Sequence, residues 1–151
     1  AIPEIVARRG MKLSLGGGAT FTVLFPDRDV STGTTNDGSI EGMLEYGKTK
    51  IMLTGDGTKK IESILLKNPA ALKSDILKVA HHGSTTSSSE EFVKAVGAKY
   101  AVISVGKKNK YGLPKQETLD VIERSGGEVL RTDELGTITF FSDGERVWRS
   151  I

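Results

Sequence analysis

The order of the predicted secondary-structure elements is the feature that most constrains how this chain folds. Three strands come first, over residues 21–25, 39–46 and 50–54, and a short turn at 47–49 joins the last two. After residue 58, helices alternate with strands. A strand meander that continues into alternating helices and strands predicts a layered α/β fold, with a mixed sheet and helices on one of its faces.

Three helices are predicted from local patterns in the second part of the chain. The spacing of the apolar residues predicts a helix over 59–67. A capping box formed by Ser88 and Glu91 predicts the start of a second helix. Pro114 suits the first position of a third helix, which the two glycines after Ser125 bring to an end.

The remaining strands are short apolar runs between these helices and near the C-terminus. A loop rich in Thr, Ser, Gly and Asp is predicted over 27–38. The chain has 151 residues, which suits a single domain over 1–151 with a core of its own. The strands predicted in this part are 75–80, 100–105, 128–131, 136–141 and 146–148, and the last two are joined by a hairpin turn at Asp143 and Gly144.

The composition does not indicate several classes of protein. With 21 basic and 19 acidic residues, the chain lacks the strong basic excess that marks a nucleic-acid-binding surface. The absence of cysteine excludes disulfides and thiolate chemistry and leaves the cellular compartment open. No apolar run approaches the roughly 18 residues that a membrane span needs, and residues 1–10 lack the apolar core of a signal peptide.

Polar residues follow three of the apolar strands, and the first such cluster contains a carboxylate. Asp56 comes just after the strand predicted at 50–54 and lies between two glycines. A carboxylate held at a rigid strand end can bridge two metal ions with its two oxygens. Because Asp56 also precedes a predicted helix, the alternative is that it caps the free amides of that helix.

The second cluster contains His81 and His82, the only two histidines of the chain. They follow the strand predicted at 75–80, and a neutral imidazole is a common metal ligand. Gly83 lets the backbone approach a ligand closely, and the hydroxyls from Ser84 onward could donate hydrogen bonds to phosphate oxygens. The alternative is a polar loop with two solvated histidines.

The third cluster is a basic, glycine-containing loop that follows the strand predicted at 100–105. Its lysines, Lys107, Lys108 and Lys110, could face a polyanionic substrate. The alternative, which we favour for each lysine taken alone, is a solvated loop.

Taken together, the three clusters resemble the ComEC-type competence proteins, and specifically the C-terminal half of their metallo-β-lactamase-like domain. The resemblance extends from about Phe21 to the end of the chain. It rests on the segments LTGD, LKVAHHGS, VISVG and NKYGLP at 53–56, 77–84, 102–106 and 109–114, on Asn36, Ser39 and Ile40 before them, and on RTDELGT and SDG at 131–137 and 142–144.

The resemblance implies an αββα sandwich with a metal site at the sheet edges. It implies metal-dependent hydrolysis in the intact domain, with two divalent ions, zinc or manganese, as cofactors. The implied substrate is single-stranded DNA, or another phosphodiester, during DNA uptake. If the chain is part of a competence protein, an extracytoplasmic or membrane-associated location follows.

The matching positions also imply a role for individual residues. Asp56 would be the bridging carboxylate and His81 the late histidine ligand, and these two would be the catalytic metal ligands. His82 is the less favoured ligand. The residues expected to contact the substrate are His82, Ser84, Asn109 and Tyr111.

Two departures from the family pattern limit what the chain is expected to do by itself. The early His-x-Asp-x-Asp-His motif is absent, and Leu113 stands where the family usually has a histidine. Asp56 and two histidines cannot provide the ligands of a two-zinc site. We therefore expect a partial metallo-β-lactamase-like domain that binds metal weakly or not at all and has no nuclease activity alone.

Three functions follow from these observations. The first is a phosphodiester hydrolase, of which this chain forms the C-terminal part. The second is a metal-free scaffold or interaction module that kept half of the fold. The third is hydrolysis of a different substrate, such as a lactam, lactone or thioester, since the fold hosts many chemistries. Because half a sandwich leaves an apolar sheet face uncovered, a homodimer that covers this face is also expected.

Overall fold

The computed structural model describes residue 2 and residues 4–150. Four short helices and nine strands are described, together with single 3-10 turns at Asn36–Gly38 and Pro69–Leu72 and a turn with left-handed residues at Ala80–Gly83. In chain order, the elements are β1 (Lys12–Gly16), β2 (Ala19–Phe25), β3 (Glu41–Tyr46), β4 (Thr49–Leu53), α1 (Lys59–Leu65), β5 (Ile76–Lys78), α2 (Glu90–Val96), β6 (Tyr100–Ile103), α3 (Gln116–Arg124), β7 (Glu128–Arg131), α4 (Thr132–Leu135), β8 (Phe140–Ser142) and β9 (Val147–Arg149).

Seven of the strands form one mixed sheet in the order of the sequence, from β1 to β7. β1 to β4 pair antiparallel, whereas β4 to β7 pair parallel. The change at β4 follows from the connections, since tight turns join antiparallel strands and helical crossovers join parallel ones. The predicted mixed α/β architecture is therefore confirmed. Within the part of the chain that the structure describes, no helix has the length and apolarity to cross a membrane.

One face of the sheet is covered by α1, α2 and α3 and forms the main core. Met52, Leu77 and Ile103 come from the strands and are at most 2% exposed. They belong to the same apolar cluster as Phe92 of α2 and Ile122 of α3. Helices therefore lie on one face of the sheet, as predicted.

The opposite face is covered only in part, by the hairpin of β8 and β9. Tyr100 of β6 packs against Phe140 of β8, with ring centroids 5.2 Å apart. Towards the β1 edge the apolar residues are less covered, and Leu13 and Leu15 are 47% and 60% exposed. This open face is the one that the expected homodimer would cover, and that association stays a prediction.

Four of the local predictions were wrong, and three of them concern where a helix or strand lies. The strand predicted at 136–141 begins only at Phe140, and residues 136–139 form an irregular connection between α4 and β8. Pro114 lies outside α3, whose N-cap is Lys115. The predicted strands also missed β1, which is exposed along its whole length and therefore lacks the alternation of a half-buried strand.

The predicted capping box of Ser88 and Glu91 was wrong for a tertiary reason. The N-cap of α2 is Ser89, and its side chain makes no capping bond. The carboxylate of Glu62, from α1, instead accepts the backbone N–H groups of Ser88 and Ser89, at 2.5 and 2.8 Å. A buried carboxylate distant in sequence thus replaces the local cap.

Candidate metal and substrate site

The parallel strands β4, β5 and β6 end at the same edge of the sheet, and each is followed by a polar loop. Two hydrogen bonds connect the first two strand ends. The hydroxyl of Thr54 donates to the carbonyl oxygen of Lys78 at 2.5 Å, and the backbone N–H of His81 donates to the carbonyl oxygen of Gly55 at 3.1 Å. The backbone N–H of Asp56 donates to Ser39 Oγ at 3.1 Å. Asp56 and the histidines are therefore held by the sheet.

The two histidines lie in an uncommon backbone turn. His81 and His82 have φ angles of 47° and 54°, in the left-handed region that non-glycine residues rarely adopt. Gly83 follows with φ of 82°, and a Cβ there would lie 2.5 Å from Pro114 Cβ. Strained backbone of this kind is concentrated at functional sites. The turn places the His82 imidazole between the loops after β4 and β6, and the His81 imidazole beside Thr86 of its own loop.

His82 is the imidazole nearest to Asp56. Its Nδ1 lies 2.6 Å from the carbonyl oxygen of Ser104, which can only accept, so Nδ1 carries the proton and donates. This leaves Nε2 facing the carboxylate, 3.7 Å from Asp56 Oδ1. His81 Nδ1 lies 3.1 Å from Thr86 Oγ1. Sequence reasoning preferred His81 as the ligand, and that preference stays a prediction.

These groups border a cavity of about 350 Å³ at the sheet edge. All the residues predicted to form the site, except Asn109, line it, and so does Lys115, which the sequence analysis did not single out. The position of Lys115 directly after Pro114, at the end of the basic loop, was the available signal. The residues that line the cavity are Asp56, His81, His82, Ser84, Tyr111, Leu113 and Lys115.

Asn109 organises the basic loop and lines a second cavity beside the first, of about 350 Å³. Its side-chain amide donates to the carbonyl oxygens of Gly106 and Leu113 at 3.0 and 2.9 Å, and its Oδ1 accepts the N–H of Leu113 at 3.0 Å. His82, Tyr111 and Leu113 line both cavities, which therefore adjoin. The bonds of Asn109 give the loop a defined shape beside the histidine turn.

Two buried glutamates lie behind the loop that carries Asp56, and the sequence analysis missed both. Glu41 is 1% exposed, and neither of its carboxylate oxygens has a hydrogen-bond partner among the described residues. A Cβ on Gly57 would lie 1.7 Å from Glu41 Oε1, so only glycine fits there. Burial, together with the nearby charge of Glu62, raises the pKa of Glu41 to about 9. Burial also raises the pKa of Glu62.

Lys78 is a third charged group close to the site, at the end of β5. Its ammonium donates to the carbonyl oxygen of Val79 at 2.9 Å. Burial lowers the pKa of Lys78, and the negative charge of Asp56 opposes that shift. The side chain therefore adds positive charge near the carboxylate of Asp56.

The donor atoms at this edge fit part of a metal centre. Two ligands about 2.0–2.1 Å from a tetrahedral zinc lie roughly 3.3 Å from each other, which is close to the 3.7 Å between Asp56 Oδ1 and His82 Nε2. The bond from His82 Nδ1 to a carbonyl is the usual outer-shell support of a metal-binding histidine. Among residues 2 and 4–150, however, no three His, Asp or Glu side chains group closely enough to hold a metal ion. The described residues alone therefore do not fit two ions.

Comparisons with known proteins agree with this arrangement. The sequence pattern of the Metallo-beta-lactamase superfamily matches residues 16–107. ComE operon protein 3 of Bacillus subtilis is 39% identical over 120 residues, which cover 80% of this chain and 15% of that protein. Recombination protein 2 of Haemophilus influenzae is 34% identical over 128 residues, covering 83% of this chain and 16% of its own length.

A third relative and a solved structure extend the comparison. Competence protein ComA of Neisseria gonorrhoeae is 40% identical over 95 residues, or 62% of this chain and 14% of that protein. A crystal structure of a protein from Parabacteroides distasonis, assigned as a metal-dependent hydrolase, superposes with a TM-score of 0.52. The match covers 84% of this chain and 56% of the Parabacteroides chain. At 14% identity, this last match shows the fold alone.

The chain thus spans about 15% of the length of the curated relatives that it matches. The resemblance to ComEC-type competence proteins and the metallo-β-lactamase fold are both confirmed. Members of this superfamily typically bind divalent metals. On the match to residues 16–107 and the shared fold, the chain belongs to the metallo-β-lactamase superfamily.

Proposed function

We propose that this chain forms part of the active site of a metal-dependent phosphodiesterase that degrades single-stranded DNA during competence. The observation that carries the proposal is the convergence of Asp56, His81 and His82 on one cavity, at the carboxyl ends of parallel strands. Ligands bind at this edge in open α/β sheets. The similarity to proteins named for competence supports the link to DNA.

The charges and hydroxyls around the cavity suit a phosphodiester. Lys115 borders the cavity, and Lys107, Lys108 and Lys110 lie on the same loop. Ser84 also lines the cavity, and its hydroxyl is 3.0 Å from that of Thr86. These groups can donate hydrogen bonds to phosphate oxygens, whereas a neutral lactam or lactone would leave the lysines without a role.

Asp56 and His82 would supply two of the ligands of a divalent metal such as zinc or manganese. His81 lines the same cavity, and the described residues do not bring a third His, Asp or Glu close enough to complete the set. When bound, such an ion activates a water molecule and stabilises the charge that develops on the phosphate. The chain's own residues have a positioning role: Ser104 orients His82, and Ser39 fixes the backbone of Asp56. Because the described residues offer too few ligands for two ions, we propose that the chain alone does not turn over.

A substrate panel on the full-length gene product tests this proposal. The panel contains a single-stranded oligonucleotide, bis(p-nitrophenyl) phosphate, a β-lactam, a lactone and a thioester. We expect hydrolysis of the two phosphodiesters, its loss with EDTA, and its return with zinc or manganese. Asp120→Asn, on α3, is the matched control for Asp56→Asn and should retain activity. Hydrolysis of only the lactam, lactone or thioester would contradict the proposal, and so would a lack of any activity.

A further inference from the structure

The basic loop after β6 presents an aromatic ring at the rim of the candidate site. Tyr111 is 68% exposed, although aromatic rings are more often covered. The ring lies between the two adjoining cavities and lines both of them. Among residues 2 and 4–150, no other aromatic ring stacks on it. A flat, apolar surface is therefore available directly beside Asp56 and His82.

The backbone that carries this ring is fixed. Asn109 makes three hydrogen bonds across the loop, to Gly106 and Leu113. Lys115 Nζ donates to the carbonyl oxygen of Tyr111 at 3.2 Å. A rigid aromatic side chain loses little conformational entropy when a ligand stacks on it. The exposure of Tyr111 is thus built into the loop and is not a property of a free chain end.

Positively charged side chains lie on the same loop as the ring. Lys110 Nζ lies 5.5 Å from the ring centroid of Tyr111, in cation–π contact. In the described residues, none of the four loop lysines (107, 108, 110 and 115) has a carboxylate within ion-pair distance. The carboxylate of Asp133 is near enough to interact weakly with Lys107. An exposed aromatic ring among free lysines is the combination that proteins use to bind single-stranded nucleic acid.

We propose that Tyr111 is a stacking platform for one unpaired nucleobase of the substrate, next to the phosphodiester at Asp56 and His82. The lysines of the loop hold the flanking phosphates. This inference rests on the proposed function and deepens it, because it assigns to the Tyr111 ring the recognition of one unpaired base of that single-stranded substrate. A base paired in a duplex has both faces covered by its neighbours and cannot stack on the ring.

Binding measurements on the purified chain test the platform without requiring turnover. Fluorescence anisotropy would compare a short oligothymidylate, an abasic oligomer of the same length, and a fully paired duplex without a loop. Stacking on an aromatic side chain contributes about 5- to 100-fold per base. We therefore expect Tyr111→Ala to weaken oligothymidylate binding by about tenfold and to leave abasic and duplex binding unchanged. Tyr111→Phe should bind as tightly as the wild type.

Two matched variants separate stacking from charge and from loss of fold. Tyr46 is 38% exposed at the far end of β3, and Tyr46→Ala should leave all three affinities unchanged. Lys108→Ala should weaken the oligothymidylate and the abasic oligomer equally. An equal loss of both affinities in Tyr111→Ala would overturn the proposal, and so would no loss or no measurable binding of oligothymidylate at low salt.

The two proposals fail in different ways. If the full-length gene product hydrolyses no phosphodiester but Tyr111→Ala still loses base-dependent binding, the platform stands and the hydrolase assignment falls. If oligonucleotides are hydrolysed and Tyr111→Ala changes neither binding nor KM, the hydrolase assignment stands and the platform falls.

Discussion

Two carboxylates lie on opposite sides of the same loop, and their surroundings differ completely. The side chain of Asp56 is 45% exposed and faces the cavity and His82. Glu41 is 1% exposed behind the loop, against Gly57, with Glu62 as its charged neighbour. The exposed carboxylate keeps its oxygens free for an external ligand. The buried one, whose raised pKa favours the protonated form, packs against Gly57 of the loop and does not line the cavity.

The largest expected effect separates the two carboxylates by activity. In the full-length gene product, Asp56→Asn should lower kcat/KM at least about 100-fold, because metal ions supply several kcal/mol of transition-state stabilisation. Glu41→Gln keeps the shape of the buried group and should change kcat/KM by less than about threefold, since it touches neither metal nor substrate. Steady-state kinetics on a phosphodiester measures both. A large loss of kcat/KM in Glu41→Gln, with normal stability, would show that the buried carboxylate also contributes to activity.

Within the same site, His81→Ala and His82→Ala test which imidazole is the ligand. Both line the cavity, but only His82 lies near Asp56, with Nε2 at 3.7 Å. We expect both variants to lose activity, and His82→Ala to lose metal affinity by about 10-fold or more. Metal titration followed by calorimetry gives the affinities. Unchanged metal affinity in both variants would contradict the assignment of the metal site to these histidines.

The next effect is a pH dependence of stability that Glu41 causes. Its pKa in the folded chain is about 9, above the ordinary value of 4.5. The folded state therefore holds the proton more tightly, and the resulting stability is complete below pH 4.5 and declines as the pH rises towards 9. The decline is roughly 1.4 kcal/mol per pH unit for one proton.

Urea unfolding at several pH values measures this slope. Glu41→Gln carries no titrating proton, so its free energy of unfolding should fall less steeply across this range and exceed that of the wild type at pH 8. Glu45→Gln, a control on the same strand with a solvent-accessible carboxylate, should keep the wild-type slope. Parallel curves for wild type and Glu41→Gln would show that Glu41 is ionised or exposed.

A smaller effect concerns Glu62, which accepts the N–H groups of Ser88 and Ser89. In Glu62→Gln, one of these amides would face the NH₂ group and lose its acceptor, which costs roughly 1–3 kcal/mol. Glu91→Gln, at the exposed position of the predicted capping box, should change stability by less than about 0.5 kcal/mol. Denaturant unfolding compares the two. A larger loss of stability in Glu91→Gln than in Glu62→Gln would show that the predicted capping box does cap α2.

The smallest expected effect is that of Ser89→Ala. An N-cap serine that bonds to the helix contributes about 1 kcal/mol. The side chain of Ser89 makes no such bond. We therefore expect a change in the free energy of unfolding below about 0.5 kcal/mol, measured in the same way. A loss near the usual value would show that the hydroxyl does cap α2.

The sequence predicted well what depends on local pattern. The alternation of helices and strands gave the mixed sheet, and the hairpin at Asp143 formed as predicted, with Asp143 Oδ1 accepting the N–H groups of Glu145 and Arg146. The strand-end clusters brought Asp56 and the histidines to one cavity. Parallel strands place their carboxyl ends together, so the order of elements was sufficient for this part.

What the sequence could not show depends on contacts between distant residues. Glu62 satisfies the start of α2 from 26 and 27 residues away, which no local motif reveals. Glu41 is a charged residue at the start of a strand, and only the packing of α1 and Gly57 makes it buried. The left-handed turn at His81 and His82 determines which imidazole approaches Asp56, and that turn depends on the neighbouring loops.

The distribution of the site over three separate loops has an evolutionary consequence. The strands pair through their backbones, and the core lies on the helix side, away from the cavity. Replacing a residue in one loop therefore alters the chemistry of the cavity and has little effect on the backbone pairing of the strands that hold the loops. A lineage can change one of these loops and still inherit an intact sheet on which a new specificity is selected.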